Sequence, residues 1–455
     1  MMLEFYGAAG GVTGSHMVLE DKDLRIGIDA GLFQGDETDR NQMRFGHDPR
    51  SLDALLLTHA HIDHSGRIPL LVKKGFSGSI RSTAATEDLC EIMLRDSAHL
   101  MEEAAEHESR NRKHGRSRPP LYTDEDVLQA LRQFEPIDYD KEHEIGSISF
   151  TFRDAGHILG SAMVELSAGD ERLIFSGDLG RPGAPFLRDP AKVDQADWLV
   201  LESTYGDKDH GKIADRGKML LEFVLETLER GGNLIIPAFA VGRTQEILYE
   251  LNPYAETGRL KGVKCFVDSP MAISATEIYS RHPECFDADM LGLLRRGDSP
   301  LEFPGIKYAR SRDESKAINE EKDPHIIISA SGMCTGGRVL HHLIHNIERK
   351  DCTLLFIGYQ AEGTLGRRLL DGAKSIKIME KQLNVRARVE SLDAFSAHAG
   401  RDEILDWLRA FREFPGKVFL NHGEHYATRA IADTIRREFD TEVIIPEAGQ
   451  KYSLG

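Results

Sequence analysis

Short apolar segments alternate with longer stretches of helical periodicity along almost the whole chain. Early apolar segments lie in "LRIGIDAGLF", "LDALLLTHA", "ISFTFRDAGH", "RLIFSGDLG" and "ADWLVLEST", and each leads into a polar or charged residue. Segments of this length predict buried β-strands, and their alternation with helices predicts an α/β fold. The polar residues at the strand ends are candidate functional residues, because loops expose a strand end while the sheet holds it still.

Two changes in this pattern predict the domain organisation. From about Gly206 to about Ile378, strands lead through glycine-containing turns into helices, as in "HIIISASGMCTGGRVLHHLIHNI", which predicts a second α/β domain with parallel strands buried on both faces. Histidine-bearing strand ends return after it, in "SLDAFSAHAG" and "KVFLNHGEH". We therefore expect residues 206–378 to be inserted between two parts of one domain, 1–205 and 379–455.

A helical stretch between Thr86 and Phe134 is interrupted by the basic loop "RNRKHGRSRPP". After the loop, Thr123 followed by Asp126 predicts the start of a new helix. The basic residues of the loop could contact phosphates, although a solvated charge run is the more common outcome. These residues are Arg110, Arg112, Lys113, Arg116 and Arg118.

Composition and charge exclude several classes of protein. The 455 residues are 40% hydrophobic and 29% charged, which is typical of a globular chain of two or three domains. A net charge of -17 argues against non-specific binding to nucleic acid but leaves a locally basic groove open. Five scattered cysteines without a CxxC pair, no signal-peptide pattern and no membrane-length apolar run predict a cytoplasmic protein without membrane association.

The stretch "LTHAHIDHSG" contains the strongest chemical signal. His59 and His61 are two residues apart after an apolar segment, so both side chains leave an extended chain on the same face, and Asp63 and His64 follow as the chain turns. One histidine at a strand end often only caps a loop. Three imidazoles and a carboxylate are ligands for Zn, Mn or Fe, and burying them without a metal would be costly.

"THAHIDHSG" resembles the signature of the metallo-β-lactamase fold, and further strand-end residues follow in that family's order. Asp29 in "IDAGLFQG", His157 in "AGHILGSA" and Asp178 in "FSGDLG" resemble its other motifs. Within that fold the chain resembles the β-CASP nucleases, through Glu202 in "LESTYG", His398 in "FSAHAG" and His422 in "FLNHGEH". The segments "PAFAVGRTQEILYEL", "SASGMCTGGR" and "GYQAEGTLGR" are similar to the branch of the mRNA 3'-end processing endonuclease and its bacterial and archaeal relatives. The resemblance implies an α/β protein, a metallo-β-lactamase αββα sandwich with an inserted α/β β-CASP domain.

The resemblance also implies a site of two divalent metal ions, with Zn favoured and Mn as the alternative. One ion would be held by His59, His61 and His157, the other by Asp63, His64 and His422, with Asp178 bridging. Asp29 would orient ligands, or would only accept hydrogen bonds from turn amides. His425 could compete with His422, but the family motif places the ligand directly before Gly-Glu.

Hydrolysis of a phosphodiester needs a nucleophile at neutral pH, neutralisation of phosphate charge and a proton for the leaving oxygen. The metals would provide the nucleophile and neutralise the phosphate charge. His398, oriented by Glu202, would provide the proton. Asp63 and Asp178 are the other two residues predicted to take part in catalysis. We predict a metal-dependent ribonuclease that hydrolyses RNA with metal-activated water, leaving a 5'-phosphate and a 3'-hydroxyl, in RNA processing or decay. Endonucleolytic action is expected, and 5'-exonucleolytic action stays open.

The inserted domain is expected to cover the metal cleft and to contribute phosphate contacts through residues at its strand-to-helix turns: Arg243, Ser331, Arg338, Arg367 and Arg368. The expected partner is single-stranded RNA, and a homodimer stays open. Because the chain begins almost directly with a strand, we expect no N-terminal KH-type module. Two other classes stay open: a small-molecule hydrolase of the same fold, and a non-catalytic subunit of an RNA-processing complex.

Overall fold

The structure, a computed structural model, describes residues 1–111 and 119–454 and forms two compact units. The first unit comprises Met1–Pro182, Arg188–Asp209 and His398–Gly455, and the second comprises Gly183–Leu187 and His210–Ala397. The larger segment of the second unit, His210–Ala397, thus lies in the sequence between Asp209 and His398 of the first unit. Of the basic loop residues, Arg112, Lys113, Arg116, Arg118 and the side chain of Arg110 lie outside the described residues.

The first unit contains two seven-stranded sheets. The strands of the first sheet are β1 (Met2–Gly7), β2 (His16–Asp21), β3 (Leu24–Ile28), β4 (Ala54–Leu56), β5 (Ser79–Ser82), β6 (Phe134–Pro136) and β22 (Lys451–Ser453), in the order β22-β1-β2-β3-β4-β5-β6. The strands of the second are β7 (Glu142–Ile145), β8 (Ile148–Asp154), β9 (Ala162–Ala168), β10 (Glu171–Phe175), β11 (Trp198–Glu202), β20 (Lys417–Asn421) and β21 (Glu442–Ile444), in the order β21-β20-β11-β10-β9-β8-β7.

Alternation along the strands explains how these sheets pack. In β10, Leu173 and Phe175 are buried between the two sheets, against residues such as Phe5 of β1. Ile174, between them in sequence, points to the opposite face, where it packs with Ile404 and other residues of the helices that follow the insertion. Successive side chains of a strand point to opposite faces, so an unbroken apolar segment predicts a strand covered on both sides.

Helices cover the outer faces of both sheets, which gives the predicted αββα sandwich. They are α1 (Ile62–Ser65), α2 (Ile68–Lys73), α3 (Ala84–Asn111), α4 (Asp124–Leu131), α12 (Arg401–Leu408) and α13 (His425–Glu438), with 3-10 turns at Gly35–Gln42 and Pro49–Ser51. The predicted start of α4 is confirmed: the Thr123 hydroxyl accepts a hydrogen bond from the Asp126 amide, and the Asp126 carboxylate accepts one from the Thr123 amide. Among the described helices, none is both long and apolar enough to cross a membrane.

The second unit is built on a six-stranded parallel sheet. Its strands are β12 (Leu234–Pro237), β13 (Lys264–Val267), β14 (Ile306–Tyr308), β15 (His325–Ser329), β16 (Thr353–Phe356) and β19 (Arg388–Ser391), in the order β14-β13-β15-β12-β16-β19, and β17 (Ser375–Ile378) and β18 (Lys381–Asn384) form a separate hairpin. Ile326 and Ile328 of β15 belong to one core cluster and Ile327 to another, so the central strands are buried on both faces, as predicted.

Seven helices and three 3-10 turns complete the described part of the second unit. The helices are α5 (Arg216–Glu229), α6 (Arg243–Glu256), α7 (Pro270–Tyr279), α8 (Ala288–Arg295), α9 (Arg312–Ile318), α10 (Val339–Asn346) and α11 (Leu365–Leu370), and the turns are Ile213–Asp215, Pro283–Cys285 and Asp393–Phe395. The sequence-based boundary at residue 378 falls inside this unit, because β19 pairs with β16 and adds a strand to the sheet.

Candidate metal centre

The stretch 57–66 turns immediately after a buried strand, and this turn brings four candidate ligands together. β4 ends just before it and α1 begins within it, so the first two ligands lie in the connection and the next two in the helical turn, in the order His59, His61, Asp63 and His64. The hydroxyl of Ser65 holds the turn by donating to the carbonyl oxygens of Ala60 (2.8 Å) and His61 (3.1 Å).

Three imidazoles converge in the first group of ligand atoms. Nδ1 of His61 lies 3.2 Å from Nε2 of His59 and 3.2 Å from Nε2 of His157. His157 follows β8, in a loop held by the Ser161 hydroxyl, which accepts a hydrogen bond from the His157 amide at 3.0 Å. The structure therefore places these three sequence-predicted ligands together, with one ligand atom of each within 4.8 Å of the others.

A second group consists of Asp63, His64 and His422. Nε2 of His422 lies 3.1 Å from Nε2 of His64 and 3.6 Å from Oδ2 of Asp63. The main chain of His422 is fixed by its amide, which donates to the Ala8 carbonyl at 2.8 Å, and the Thr204 hydroxyl donates to its carbonyl at 3.1 Å. A residue from the end of the insertion-interrupted domain thus joins two residues from its beginning.

Asp178 lies between the two groups, and its carboxylate oxygens face different groups. Oδ2 is 3.4 Å from Nε2 of His59 and 3.4 Å from Nε2 of His157. Oδ1 is 3.3 Å from Nε2 of His64 and 3.4 Å from Nδ1 of His422. Asp178 is 2% exposed, and its Oδ1 has no hydrogen-bond donor among the described residues. This buried carboxylate therefore lies between the two groups of candidate ligands.

The donor set fits a divalent metal ion. A tetrahedral Zn ion with bonds of about 2.0–2.1 Å places its ligand atoms roughly 3.3 Å apart. His61 and Asp178 each provide an atom at 3.2–3.4 Å from Nε2 of both His59 and His157, and all four ligand atoms lie within 4.8 Å of one another. Burial lowers the pKa of His61 to about 3, and burial also lowers the pKa of His59 and His157. These imidazoles are therefore neutral near pH 7 and have lone pairs available for a metal.

The charges of the surrounding imidazoles also act on Asp178. Burial alone would raise the pKa of its carboxyl, but electrostatic interactions with the imidazoles of His422 and His64 hold that pKa well below the usual range. The carboxylate is therefore ionised, as a metal ligand requires.

Asp29 lies within hydrogen-bond distance of His64 and also accepts hydrogen bonds from its surroundings. Its Oδ2 lies 2.7 Å from Nδ1 of His64, and its Oδ1 accepts hydrogen bonds from the amide and the hydroxyl of Thr58, both at 2.9 Å. The hydroxyl of Ser15 donates to Oδ2 at 3.2 Å. The backbone of Asp29 has φ +55°, in the left-handed region that non-glycine residues seldom adopt. Its carboxylate thus contacts His64 and also accepts hydrogen bonds from Thr58 and Ser15.

Glu202 and His398 lie together beside these groups. Nδ1 of His398 is 3.1 Å and 3.3 Å from the two carboxylate oxygens of Glu202 and 3.9 Å from Oδ2 of Asp178. Burial alone would lower the pKa of His398, but the negative charges of Glu202 and Asp178 raise it to about 9. The imidazole is protonated near pH 7, and its side chain is 16% exposed, so it can reach a bound molecule.

His425, the alternative to His422, belongs to neither group of ligand atoms. It is the first residue of α13, and its ring packs over Gly10, where an added Cβ would lie 2.6 Å from Cε1 of the imidazole. Gly10 has φ +82°, so the turn also needs a conformation that favours glycine. His425 therefore packs against a neighbouring loop.

Several residues that hold this site were not identified from the sequence. Thr58 directly precedes His59, and its hydroxyl contacts Asp29. Thr204 follows Glu202 by two residues, and its hydroxyl contacts the carbonyl of His422. Position next to a motif was the only signal for them. Arg181 and Glu403 form a bidentate ion pair although 222 residues separate them, a relationship that no local pattern indicates.

The residues predicted to contact phosphates all lie in the second unit, and most of their polar groups already have partners. Arg338 donates to Asp268 (2.7 Å) and to the carbonyl oxygens of Ala309 and Arg310. Arg243 is 6% exposed and pairs with Glu246.

The other three differ in exposure. Ser331 accepts a hydrogen bond from the Thr335 amide at 3.0 Å, Arg367 pairs with Asp371 at 3.0 Å, and the side chain of Arg368 is exposed. Of these five residues, Arg368 has the most exposed side chain.

Three family models match the chain. Residues 10–220 match the metallo-beta-lactamase superfamily, residues 244–369 the Beta-Casp domain, and residues 382–446 the Zn-dependent metallo-hydrolase RNA specificity domain. A solved structure described as a protein of unknown function from Enterococcus faecalis V583 has a TM-score of 0.58 at 13% identity, over 100% of this chain and 99% of that one, which indicates a shared fold.

Relatives with names are similar over nearly the whole chain. Ribonuclease TTHA0252 of Thermus thermophilus is 38% identical over 92% of this chain and 92% of its own length. The RNase J-like protein of Methanocaldococcus jannaschii is 32% identical over 99% of both chains, and the transcription termination factor FttA of Methanothermobacter thermautotrophicus is 33% identical over 96% of this chain and 69% of its own. The chain belongs to the metallo-β-lactamase β-CASP ribonuclease family.

Proposed function

We propose that this protein is a dinuclear metal-dependent ribonuclease that cuts RNA phosphodiester bonds, chiefly within the strand. The observation that supports it most is the orientation of Asp178, whose two oxygens each face a separate group of ligand atoms. The first group and Asp178 would hold one ion, and Asp63, His64, His422 and Asp178 the other. Zn is the preferred ion because imidazole nitrogen dominates the donor set, and Mn is the alternative.

When bound, two such ions supply an activated water and neutralise the phosphate charge. The residues of the chain have distinct tasks around them. Asp178 and Asp63 contribute negative charge that offsets the charge of the ions, and Asp29 keeps the ring of His64 in one orientation through its hydrogen bond to Nδ1.

His398 is the proton donor of the proposed reaction. As the bond between phosphorus and the leaving oxygen breaks, that oxygen takes the electron pair and the proton of His398. Glu202 accepts the Nδ1–H hydrogen bond, so Nε2 is the nitrogen that donates. The products are a 5'-phosphate and a 3'-hydroxyl, and the RNA 2'-hydroxyl takes no part as nucleophile.

RNA is the preferred substrate for two reasons. Residues 382–446 match a model described as an RNA specificity domain, and the relatives include proteins named ribonuclease. The pair Glu202 and His398 would supply the proton that an RNA sugar oxygen requires on leaving. Arg368, with its exposed side chain, is the first candidate for a phosphate contact in the second unit, followed by Arg367, Arg338, Arg243 and Ser331.

Cleavage of labelled RNA by the pure protein with added Zn or Mn tests this function. Parallel RNAs labelled at either end, some with blocked 5'-ends and some circular, separate the modes of action. Cutting of circular and blocked RNA supports endonucleolytic action, whereas cutting that requires a free 5'-end supports the 5'-exonucleolytic alternative. Hydrolysis of thioesters or lactones without any RNA cleavage would replace the proposal with a small-molecule hydrolase.

Metal content distinguishes a further alternative. A protein that binds both metals yet cuts neither RNA nor small esters would fit a non-catalytic subunit of an RNA-processing complex. Every ligand position that the family motifs require has a histidine or an aspartate in this chain, which favours an enzyme. Single-stranded RNA as partner, a cytoplasmic location and homodimerisation are predictions to be examined with the same protein, by binding assays, fractionation and sedimentation.

A further inference from the structure

A partly buried ion pair joins Arg181, three residues after Asp178, to Glu403, five residues after His398. Nε of Arg181 is 3.0 Å from both carboxylate oxygens of Glu403, and Nη2 is 2.9 Å from Oε1. The Arg181 side chain is 4% exposed and that of Glu403 26%. This bidentate arrangement fixes both distance and orientation, which a single contact between two charges would not.

Glu403 passes this constraint to the segment that contains His398. Its Oε2 accepts a hydrogen bond from the Gly400 amide at 2.8 Å, at the start of α12. The amide of Ala399, between Gly400 and His398, donates to the Leu179 carbonyl at 2.8 Å. Segment 398–400 is therefore attached to segment 178–181 at two points.

The same segment 178–181 also fixes the partner of His398. The amide of Leu179 donates to Oε1 of Glu202 at 2.6 Å, and this oxygen is the one that lies 3.1 Å from Nδ1 of His398. Asp178, whose carboxylate faces both groups of metal-ligand atoms, begins the segment. Four consecutive residues thus connect the candidate bridging ligand, the carboxylate partner and the loop of the proton donor.

We propose that Arg181 and Glu403 are positioning residues for proton transfer by His398. They hold its imidazole where Nε2 can reach the leaving oxygen. They also keep the position of the imidazole fixed relative to Asp178. A purely stabilising role would not require this pair, since apolar residues of similar volume can serve stability as well as a buried ion pair does. The inference rests on the proposed function of His398.

Substrates that differ in their need for a proton test this role. An RNA sugar oxygen leaves poorly unless it is protonated, whereas the p-nitrophenolate of bis(p-nitrophenyl) phosphate leaves without a proton. Arg181→Met should lower kcat on RNA about 10- to 100-fold, the range expected for a catalytic group displaced by roughly 1 Å. KM for RNA and turnover of bis(p-nitrophenyl) phosphate should each change less than about threefold in Arg181→Met. The same small changes are expected of His398→Ala, because both variants impair only proton donation. Arg181→Lys should recover part of the lost kcat.

Three comparisons make the outcome specific. Asp178→Ala should lower the turnover of RNA and of bis(p-nitrophenyl) phosphate equally, because it removes a candidate metal ligand. Arg409→Met is the matched control: Arg409 follows α12 and pairs with Glu438 at 2.6 Å on the surface, and both substrates should be unaffected. Thermal unfolding and metal content of each variant verify that Arg181→Met is folded and loaded.

Three results in folded Arg181→Met would each overturn the proposal. They are an equal loss of turnover on both substrates, a loss of bound metal, and an unchanged kcat on RNA. If Arg181→Met does not fold, Glu403→Gln replaces it, because glutamine can still accept from the Gly400 amide. A crystal structure of the variant gives a readout independent of RNA: the distance of 3.1 Å between His398 and Glu202 should lengthen. Inactivity of the unmodified protein on RNA would defeat the proposed function, while an unchanged His398 position would defeat this inference alone.

Discussion

Nδ1 of His398 lies 3.1 Å from Oε1 of Glu202, although 196 residues separate them in the chain. Glu202 is 2% exposed, so its charge acts on the imidazole with little screening by water. Together with Asp178, it raises the pKa of His398 to about 9 against the opposing effect of burial. The pair therefore provides a protonated imidazole near neutral pH, beside the residues that could hold metal.

Replacement of His398 by alanine should remove proton donation and leave the metal ligands intact. We expect turnover on RNA to fall about 10²- to 10⁴-fold, the usual contribution of a positioned acid or base. Metal content, measured by atomic emission alongside the cleavage assay, should equal that of the unmodified protein. Full activity of the variant would remove His398 from the proton-donor role.

Asp178→Ala should abolish activity and lower metal occupancy, because both groups of ligand atoms lose the same carboxylate. Asp197→Ala is the control: Asp197 lies directly before β11, and its carboxylate accepts a hydrogen bond from the Arg172 amide outside the site. Metal analysis after gel filtration checks both variants. Two ions retained by folded Asp178→Ala would contradict the bridging assignment.

Asp29→Ala should weaken metal binding by about 10- to 100-fold, as is typical for residues that orient a ligand through a hydrogen bond. The variant leaves Nδ1 of His64 without the carboxylate at 2.7 Å. Competition with a chelator of known affinity measures the change. An unchanged affinity would show that the hydrogen bonds from Thr58 are the main task of Asp29.

Acid should destabilise the fold through His16 and His47, whose Nε2 atoms lie 2.7 Å apart. Burial lowers the pKa of both, well below the usual range for His16. The unfolded chain takes up protons near pH 6.5, about the ordinary histidine value, while the folded chain does not, so their stabilising contribution is present above about pH 6.5 and is lost as the pH falls.

His47→Gln should reduce this acid sensitivity, since glutamine does not titrate and can still donate to His16. Between about pH 7.5 and about pH 5.5, the variant should lose about 1 kcal/mol less unfolding free energy than the unmodified protein. Urea unfolding of both proteins in chelator at the two pH values measures the difference. Parallel losses would mean that His47 is protonated in the folded protein.

Arg368→Gln should weaken RNA binding and reduce the slope of log affinity against log salt by about 0.7, the value for one phosphate contact on a single strand. Titration at several salt concentrations measures the slope. Arg338→Gln is the comparison, because its guanidinium already donates to Asp268, Ala309 and Arg310. We expect Arg338→Gln to lower stability while leaving the slope closer to that of the unmodified protein; the reverse pattern would exchange the two assignments.

The strands and the turn at 57–66 could be predicted because their signals are local. An apolar segment followed by closely spaced histidines specifies both the buried strand and the ligands at its end. Glu202 and His398 needed the resemblance to a family, since neither residue alone has a pattern that distinguishes a functional role.

Other features depend on contacts between distant segments. The ion pair of Arg181 with Glu403 joins residues 222 positions apart, and the exposed, charged appearance of each in the sequence indicates a solvated surface. Similarly, Arg338 appeared as a phosphate ligand because its buried partner Asp268 is 70 positions away. The second unit extends past residue 378 because β19, a short strand with a charged residue at its start, finds its partner β16 only in three dimensions.

The interruption of the first unit has a consequence for synthesis on the ribosome. His398 and His422 are made only after the entire second unit, and β22 then pairs with β1, which is made before that unit. A nascent chain or a fragment that stops within the insertion has six of the seven candidate metal ligands but lacks His422 and the proton donor. The order of segments therefore delays assembly of the complete candidate site until the segments that follow the insertion have been made, and a product that ends within the insertion lacks two of its residues.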